Sequence, residues 1–431
     1  MRRVFSWLLL VILFAGVVLA QEFQDPFREP DQNSMMGGLG MTWIDGQSYT
    51  TITLAPEIAF GKFGAGLFVQ LLMDNNNSFK LRTDEYKGAG GILRMFRYVR
   101  YGHKYDPFYA RVGTLDAYSL GNGFLMWNYN SASNYDKRKI GLALDIDMGV
   151  LGFETMTNNL SRLELVGANL YFRPIRLLSP DMPILRNLRV YGTYIMDHDL
   201  PSWETPGEKK DLMAYGGGVD LRWLNLPVVY STIYWDYGQI VDFGSGNALG
   251  INMIFPDFIG IFGLAAKFEK RFLGEQFQPN FFGPMYDLHR ELDPFEYPFD
   301  SNISLLKNAP KTEGYFGELV GHVIHKVRLI GNYQRLNGIK RSGRLHLEAQ
   351  APDLIPRIVL QGYYDKVGIE TFTDFRTLDN RSIALLDVGY RINRFMVLSM
   401  VYRWYWVKEE ETGEYKPVER VEPRLSFNWT F

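Results

Sequence analysis

The clearest pattern in the chain is an alternation of apolar and polar residues over its last eleven positions, 421–431. Every second residue is apolar, namely Val421, Pro423, Leu425, Phe427, Trp429 and Phe431. The residues between them are polar, namely Glu422, Arg424, Ser426, Asn428 and Thr430. Because successive side chains of a β-strand point to opposite faces, this segment is predicted to be a strand with one apolar face and one polar face.

The same alternation recurs from Met35 onward in segments of roughly ten residues separated by turn residues. It predicts about twenty antiparallel strands, with eighteen as the alternative. The predicted strands are 35–44, 48–59, 63–73, 92–101, 107–115, 137–147, 150–158, 163–173, 186–197, 212–223, 227–237, 247–255, 260–272, 313–324, 327–336, 343–351, 357–366, 382–391, 395–407 and 421–431. No segment of domain size shows a helical period.

Short and long connections alternate between these strands. The longer ones are 74–91, 116–136, 198–211, 238–246, 273–312, 367–381 and 408–420. Three connections break the rule: 174–185 is long where a short turn is due, and the turns after Ile44 and Asn158 are short. A soluble sandwich gives no reason for this alternation, whereas a membrane barrel has short turns at one end and long loops at the other.

The first residues are typical of a secretory signal. Arg2 and Arg3 precede an apolar run over 4–19, and Val18-Leu19-Ala20 is a small-residue cleavage site. We therefore expect a cleaved signal peptide at 1–20 and a flexible periplasmic lead-in at 21–34, followed by a barrel over 35–431. An uncleaved anchor helix is the alternative, although the run is short for a membrane span.

Together, the export signal, the alternating strands and loops, and the final strand that ends in Phe431 resemble a Gram-negative-type outer-membrane β-barrel of porin size. The resemblance implies a transmembrane, antiparallel, up-and-down barrel, located in the bacterial outer membrane, with lipids and the barrel-assembly machinery as partners. It also implies that this machinery reads the terminal strand through Leu425, Phe427, Trp429 and Phe431. Monomer and trimer both remain open.

Composition excludes several other functions. The chain has 431 residues, no Cys and a formal net charge of -2. Without Cys there is no disulfide framework and no thiolate metal site, and the charge does not favour a nucleic-acid partner. No phosphate-binding loop or metal-ligand spacing is present, so no cofactor is predicted.

The polar strand faces carry both signs of charge and are predicted to line the lumen. The predicted lumen-lining residues are Lys139, Asp145, Asp147, Lys267, Glu269, Arg271, Arg344, His346, Glu348, Arg357, Asp365 and Arg424. Their functional interpretation is a water-filled passage with a transverse field acting on the solute. The alternative is a set of paired charges that only maintains the barrel shape.

Two long connections are too aromatic for freely solvated loops. For 273–312 we predict a lid or constriction at the mouth, with an outer cap as the alternative, and 116–136 is a second inward-folding candidate. The predicted constriction residues are Phe281, Phe282, Tyr286 and Trp127.

The sequence therefore predicts a porin-like channel for passive diffusion of small solutes. The alternative is a non-conducting barrel that binds a partner or surface ligand through its loops. His322 is predicted to share a face with Glu318, and His346 with Glu348, but a nucleophile to complete a catalytic site cannot be placed, so no enzyme is predicted. The lead-in is also too short for the plug domain of an energy-coupled importer.

Overall fold

A computed structural model describes residues 34–44, 47–76, 80–82, 95–104, 106–115, 118–131, 139–258, 261–284, 286–296, 301–324, 326–379, 381–408 and 415–430. The predicted signal peptide and Phe431 lie outside these ranges. The twenty strands, in chain order, are β1 Ser34–Ile44, β2 Gln47–Phe60, β3 Phe63–Leu67 with Val69–Asp74, β4 Lys80–Arg82 with Phe96–Tyr101, β5 Phe108–Gly113, β6 Gly141–Asp147, β7 Leu151–Thr157, β8 Leu165–Phe172, β9 Leu188–Pro201, β10 Lys209–Leu226, β11 Val229–Ile240, β12 Ser245–Phe258, β13 Phe262–Leu273, β14 Thr312–Val323, β15 Val327–Leu336, β16 Gly343–Ile355, β17 Ile358–Ile369, β18 Ser382–Asn393, β19 Met396–Lys408 and β20 Tyr415–Thr430.

The strands form one closed antiparallel barrel. Each strand pairs with its neighbour in sequence, and β1 closes the ring by pairing with β20, where Ser34 lies opposite Thr430. Strand β3 is interrupted at Phe68, and both of its parts pair with β2. The prediction of a closed all-β barrel with about twenty strands is confirmed.

Within the described residues, three short helices lie in the connections: α1 Pro174–Leu178, α2 Tyr286–His289 and α3 Asn302–Lys307. The same part of the chain contains 3₁₀ turns at Leu185–Asn187 and Asp374–Arg376. Over the described ranges, no helix is both long and apolar enough to cross a membrane.

Several strands extend into segments predicted as loops. Lys80–Arg82 pairs with the end of β3, and β20 begins at Tyr415, opposite Lys408. Strand β9 continues to Pro201, and β10 already begins at Lys209. Where a strand extends past the apolar outer face of the barrel, both of its faces are polar. The alternation of apolar and polar residues therefore ends before the strand ends.

The barrel has two different ends. The end at which Ser34 and Thr430 lie, called here the terminal end, is closed mostly by short turns such as 61–62, 227–228 and 394–395. The opposite end, called the loop end, carries the connections 114–140, 274–311 and 370–381. This alternation agrees with the sequence prediction, and 173–187 is the long connection at the terminal end.

The two faces of the wall have opposite chemistry. On β13, Phe268 is 50% exposed on the outer face, whereas the next residue, Glu269, points inward and is 0% exposed. On β20, Val421 and Phe427 are exposed and Glu422 between them is buried. An apolar outer face with a charged interior is the arrangement of a membrane barrel, because a small soluble barrel fills its interior with apolar side chains.

Candidate functional site

Two loop-end connections fold into the barrel and join each other. We call them the plug, which comprises the described residues of 118–131 and 277–307. Met126 and Phe282 form a parallel bridge, and the amide N of Phe282 donates to the carbonyl O of Leu125 at 3.2 Å. The side-chain amide of Asn280 also donates to the carbonyl of Gly123, at 2.6 Å. The two connections are therefore one structural unit.

The first connection runs deep along the inside of the wall. Its tip turns at Gly121 and Gly123, whose φ angles of 57° and 89° favour glycine. The Gly121 amide donates to Glu154 at 2.9 Å, and Asn122 Nδ2 donates to the Tyr191 hydroxyl at 2.9 Å. Tyr191 is the fourth residue of β9 from the terminal end, so the plug reaches well past the loop-end mouth.

An apolar core lies between the plug and the wall. Its buried members from the plug include Leu120, Phe124, Leu125, Met126, Phe277, Phe281, Phe282, Ile303 and Leu306. Inward-facing glycines of the wall make room for these side chains. A Cβ at Gly238 would lie 2.8 Å from Leu125 Cδ2, and one at Gly246 would lie 2.6 Å from Phe277 Cδ1. Glycine at these positions therefore lets the plug approach the wall backbone closely.

Polar contacts fix the second connection to the wall near the loop end. Arg290 Nη2 donates to Asp197 Oδ1 at 2.6 Å, and the Tyr286 hydroxyl donates to Asp197 Oδ2 at 2.7 Å. Asp197 and Arg290 are both buried. We call this group the latch. Asp197 lies six residues along β9 from Tyr191, so the plug is attached at points about 20 Å apart along one strand.

Asp287 sits beside the latch and bridges the two connections. The Tyr129 hydroxyl donates to Asp287 Oδ2 at 2.7 Å, and Lys139 Nζ lies 3.4 Å from Asp287 Oδ1. Burial raises the pKa of the Asp287 carboxyl, although the Lys139 charge, the Tyr129 hydrogen bond and the Arg290 charge oppose that rise. Burial likewise raises the pKa of the Tyr129 hydroxyl well above its usual value.

Several predicted lumen residues face inward and contact the plug. Lys139 Nζ lies 3.4 Å from Asp287 Oδ1 of the plug, and Asp145 accepts from the Tyr118 hydroxyl at 2.8 Å. Lys267 donates to the carbonyl of Asn122 at 2.7 Å. These charged groups therefore hold the plug: Asp145 and Lys267 do so from the wall, and Lys139 from the connection that precedes β6.

Lys267 belongs to a buried charge cluster on β13. Lys267 Nζ lies 2.9 Å from Glu269 Oε1, and Arg271 Nη2 lies 2.6 Å from Glu269 Oε2. Arg271 Nη1 also donates to Gln334 of β15 at 2.7 Å. The predicted residues Lys267, Glu269 and Arg271 are thus brought together.

A second group of predicted residues lies on β16 to β20. His346 Nδ1 lies 2.7 Å from Asp365 Oδ1, and His346 Nε2 lies 4.0 Å from Glu348. Arg424 pairs with Asp387 of β18. Arg344 shares the inward parity of His346 and is exposed near the loop end.

Two predicted lumen residues lie at the terminal end. Asp147 accepts two hydrogen bonds from Arg173, at 2.8 and 2.9 Å, next to the turn 148–150. Arg357 does not line the lumen: it lies exposed in the turn 356–357 with a φ of 66°, and it donates to the hydroxyl of the outward-facing Tyr390. The sequence pattern predicted a strand over 357–366 that begins at Arg357, whereas the strand begins one residue later, at Ile358.

The predicted constriction aromatics lie together inside the plug. The ring centroids of Phe281 and Phe282 are 5.1 Å apart, and those of Phe282 and Tyr286 are 4.9 Å apart. All three side chains are buried, while Trp127 packs edge-on against Phe316 of the wall at 5.8 Å. These aromatic side chains therefore form part of the core between the plug and the wall.

Sequence reasoning missed the latch and the glycine positions. Asp197 has the inward parity of β9, and Arg290 stands in the aromatic loop, but nothing in the sequence pairs two residues 93 positions apart. Of the predicted assembly signal, Leu425 and Phe427 lie on the outer face of β20, where Phe427 is exposed. Trp429 lies within β20, and Phe431 is outside the described residues.

No protein-family model and no curated protein matches the chain. Among solved structures, it is similar to OccK10 (OpdN) of Pseudomonas aeruginosa, with 12% identity, a TM-score of 0.38 and coverage of 94% of this chain and 100% of that one. It is also similar to Wzi of Escherichia coli, described as a carbohydrate-binding outer-membrane barrel, with 9% identity, a TM-score of 0.37 and coverage of 93% and 85%. CdiB from Acinetobacter baumannii matches with 7% identity and a TM-score of 0.32 over 93% of this chain, which spans 60% of its length. Likenesses of this size identify neither a family nor a ligand for this chain.

Proposed function

We propose that the chain is an outer-membrane, porin-like channel through which small solutes diffuse passively. The observation that carries this proposal is the one-sided attachment of the plug. Its hydrogen bonds and apolar contacts run to inward residues of β5 to β15, which form one side of the ring of strands. A barrel of about twenty strands encloses more volume than its wall side chains fill, so a passage remains beside the plug.

The wall opposite the plug suits a water-filled path. Its inward side chains include the pairs His346–Asp365 and Arg424–Asp387, and Arg403 lies 3.2 Å from Glu422. Cations and carboxylates alternate around this arc, so a solute passing it meets a transverse field of both signs. Such a field favours small polar solutes and gives only weak selection between anions and cations.

In this proposal the plug is the constriction. It occupies one side of the lumen over much of the barrel length and narrows the path without closing it. Export through a cleaved signal peptide, insertion by the barrel-assembly machinery and contact with outer-membrane lipids complete the proposal.

The rival function is a non-conducting barrel that binds a partner or surface ligand through its loops. The dense apolar core and the buried latch favour this function, because they give the plug the packing of a folded domain. The rival predicts that the plug leaves no continuous water path.

Planar-bilayer conductance of the refolded mature chain separates the two functions. We would record the wild type and a variant that lacks 279–300, and confirm folding of each by heat-modifiable gel mobility. Stable wild-type steps that become larger in the deletion variant support the channel with a plug as its constriction. A silent wild type with a conducting deletion variant indicates a plug that closes the lumen, and silence of both folded proteins would overturn the channel.

A further inference from the structure

The connection 173–187 is unusual for the terminal end because it is long and apolar. Leu177 and Leu178 in α1 are 62% and 76% exposed, and α1 buries none of its residues. Met182, Ile184 and Leu185 further along are also exposed. The neighbouring turns at this end, such as 148–150 and 227–228, are only a few residues long. We call 173–187 the shelf.

The shelf is fastened at defined points despite its exposed apolar side chains. Arg173 makes the two hydrogen bonds to Asp147, and Pro174 occupies the first turn of α1, where a missing backbone N–H costs nothing. Arg176 Nη1 donates to the carbonyl of Gly149 at 2.9 Å. A segment held in place in this way presents its apolar residues as a surface.

That surface continues the apolar outer face of the barrel. Phe172 at the end of β8 and Val190 near the start of β9 are both exposed on the outside and flank the shelf in sequence. On the adjacent strand β10, Trp223 and Leu226 are exposed too. The shelf therefore extends the lipid-facing belt at the terminal end, where amphipathic side chains such as Trp favour a membrane interface.

The exposed charged residues of the shelf are mostly basic. Arg176 and Arg186 are exposed beside its apolar residues, and Asp181 is its acidic residue. Basic side chains next to an apolar surface attract anionic headgroups while the apolar residues enter the acyl boundary.

We propose that the shelf is an interfacial binding surface for anionic phospholipid in the leaflet at the terminal end. Leu177, Leu178 and Leu185 insert at the acyl boundary, and Arg176 and Arg186 contact the phosphates. This inference rests on the membrane location in the proposed function, although not on conduction.

The chain has no Cys, so a single introduced Cys reports one position. We would label Leu178→Cys with a nitroxide in the full mature chain, folded in vesicles of phosphatidylcholine with phosphatidylglycerol. The matched control is Leu160→Cys, a residue of similar class that is 44% exposed in a loop-end connection. Collisions with lipid-soluble oxygen and with a water-soluble nickel chelate are measured for both labels.

The shelf predicts that the label at 178 collides more with oxygen and the label at 160 more with the chelate, independent of lipid dilution. If the nickel chelate reached both labels equally in a folded, inserted barrel, the proposal that the shelf binds lipid would be overturned. Protection at 178 that disappears on dilution with lipid would assign the surface to a second copy and also overturn it. Failure of the barrel to float with vesicles would remove the membrane premise, whereas a silent but lipid-protected barrel would overturn only the channel.

The charge arm uses Arg176→Gln with Arg186→Gln. Association of spin-labelled phosphatidylglycerol relative to phosphatidylcholine is expected to fall by roughly fivefold per basic residue removed, the effect of one cation at an anionic surface. The control Arg162→Gln removes an exposed basic residue at the loop end and should leave this ratio unchanged. An unchanged ratio in the double variant would overturn the preference for anionic lipid.

Discussion

The side chain of Leu125 packs directly against the backbone of Gly238, so that a Cβ added at Gly238 would lie 2.8 Å from Leu125 Cδ2. Gly238 is an inward residue of β11, and Leu125 belongs to the plug. Phe124 lies nearly as close, with its Cδ1 at 3.2 Å. Because glycine has no side chain, the wall leaves room at Gly238 for the side chains of Leu125 and Phe124.

Replacing Gly238 by Val should displace the plug without breaking the barrel. The two added branches would overlap Leu125 and Phe124, and overpacking of this kind costs roughly 1–3 kcal/mol. Valine itself suits a β-strand, so β11 should keep its pairing. We expect larger or less stable single-channel steps than those of the wild type, measured in a planar bilayer.

Gly192→Val on β9 is the matched control for this change. Gly192 faces outward, and the atom nearest to a Cβ there is a backbone oxygen at 3.9 Å. Wild-type conductance is therefore expected for Gly192→Val. If both variants gave the same single-channel conductance steps, the contact of Leu125 with Gly238 would have no effect on the passage.

The latch gives a second prediction. In Arg290→Gln, Asp197 loses the three charge-assisted hydrogen bonds that it accepts from Arg290, and removing one partner of a buried ion pair costs about 3–5 kcal/mol. The variant should weaken the attachment of the plug and leave the barrel wall intact, because the strand pairing of β9 does not involve Arg290. Hydrogen exchange of the plug amides should become faster, while the heat-modifiable gel mobility of the barrel is retained.

Lys210→Gln serves as the control for the latch. Lys210 pairs with Glu204 at 2.7 Å and with Asp242 at 2.8 Å, but both partners are well exposed, and exposed pairs contribute little. Plug exchange rates in Lys210→Gln should match the wild type. If Arg290→Gln also matched the wild type, the ion pair of Arg290 and Asp197 would not hold the plug in place.

The barrel could be predicted from sequence because its cause is local. Lipid on one side and water on the other impose a period of two on each strand, as on β13, where Phe268 and Glu269 take opposite faces. Strand ends beyond the lipid lose that constraint, which is why the start of β20 at Tyr415 was predicted as loop.

The plug could be predicted only in part because its contacts are distant in sequence. The aromatic composition of 273–312 indicated packing, but not what it packs against. Arg290 reaches Asp197 across 93 residues, and Leu125, which precedes β6 in the chain, packs against Gly238 of β11. A glycine in a strand gives no sign of which side chain fills the space above it.

The loop-end connection 370–381 should open in acid. Asp379 accepts from Arg381 and from Lys366. Partial burial alone would raise the pKa of Asp379, but these hydrogen bonds outweigh it and lower that pKa to about 2. Because the folded-state pKa lies below the usual value for Asp, the stabilisation is present above about pH 4 and is lost as the pH falls towards 2.

Asp379→Asn tests this at neutral pH by removing the charge permanently. Trypsin should cut after Arg376 or Arg381 faster in the variant than in the wild type, because the contacts of Arg381 are weakened. Cleavage after Arg341, an exposed residue of the neighbouring connection 337–342, is the internal control and should not change. If each of the three sites were cleaved at the same rate in the variant as in the wild type, Asp379 would not order this connection.

The pair of Arg424 and Asp387 allows the charge of the proposed passage to be changed in either direction. Asp387→Asn leaves Arg424 uncompensated on the inward face, so the reversal potential in a salt gradient should shift towards anion selectivity. Arg424→Gln should shift it towards cations, and the double variant should return close to the wild-type value. Glu313→Gln, on the outer face near the loop end, should have no effect. Unshifted potentials in both single variants would place the passage away from β18 and β20.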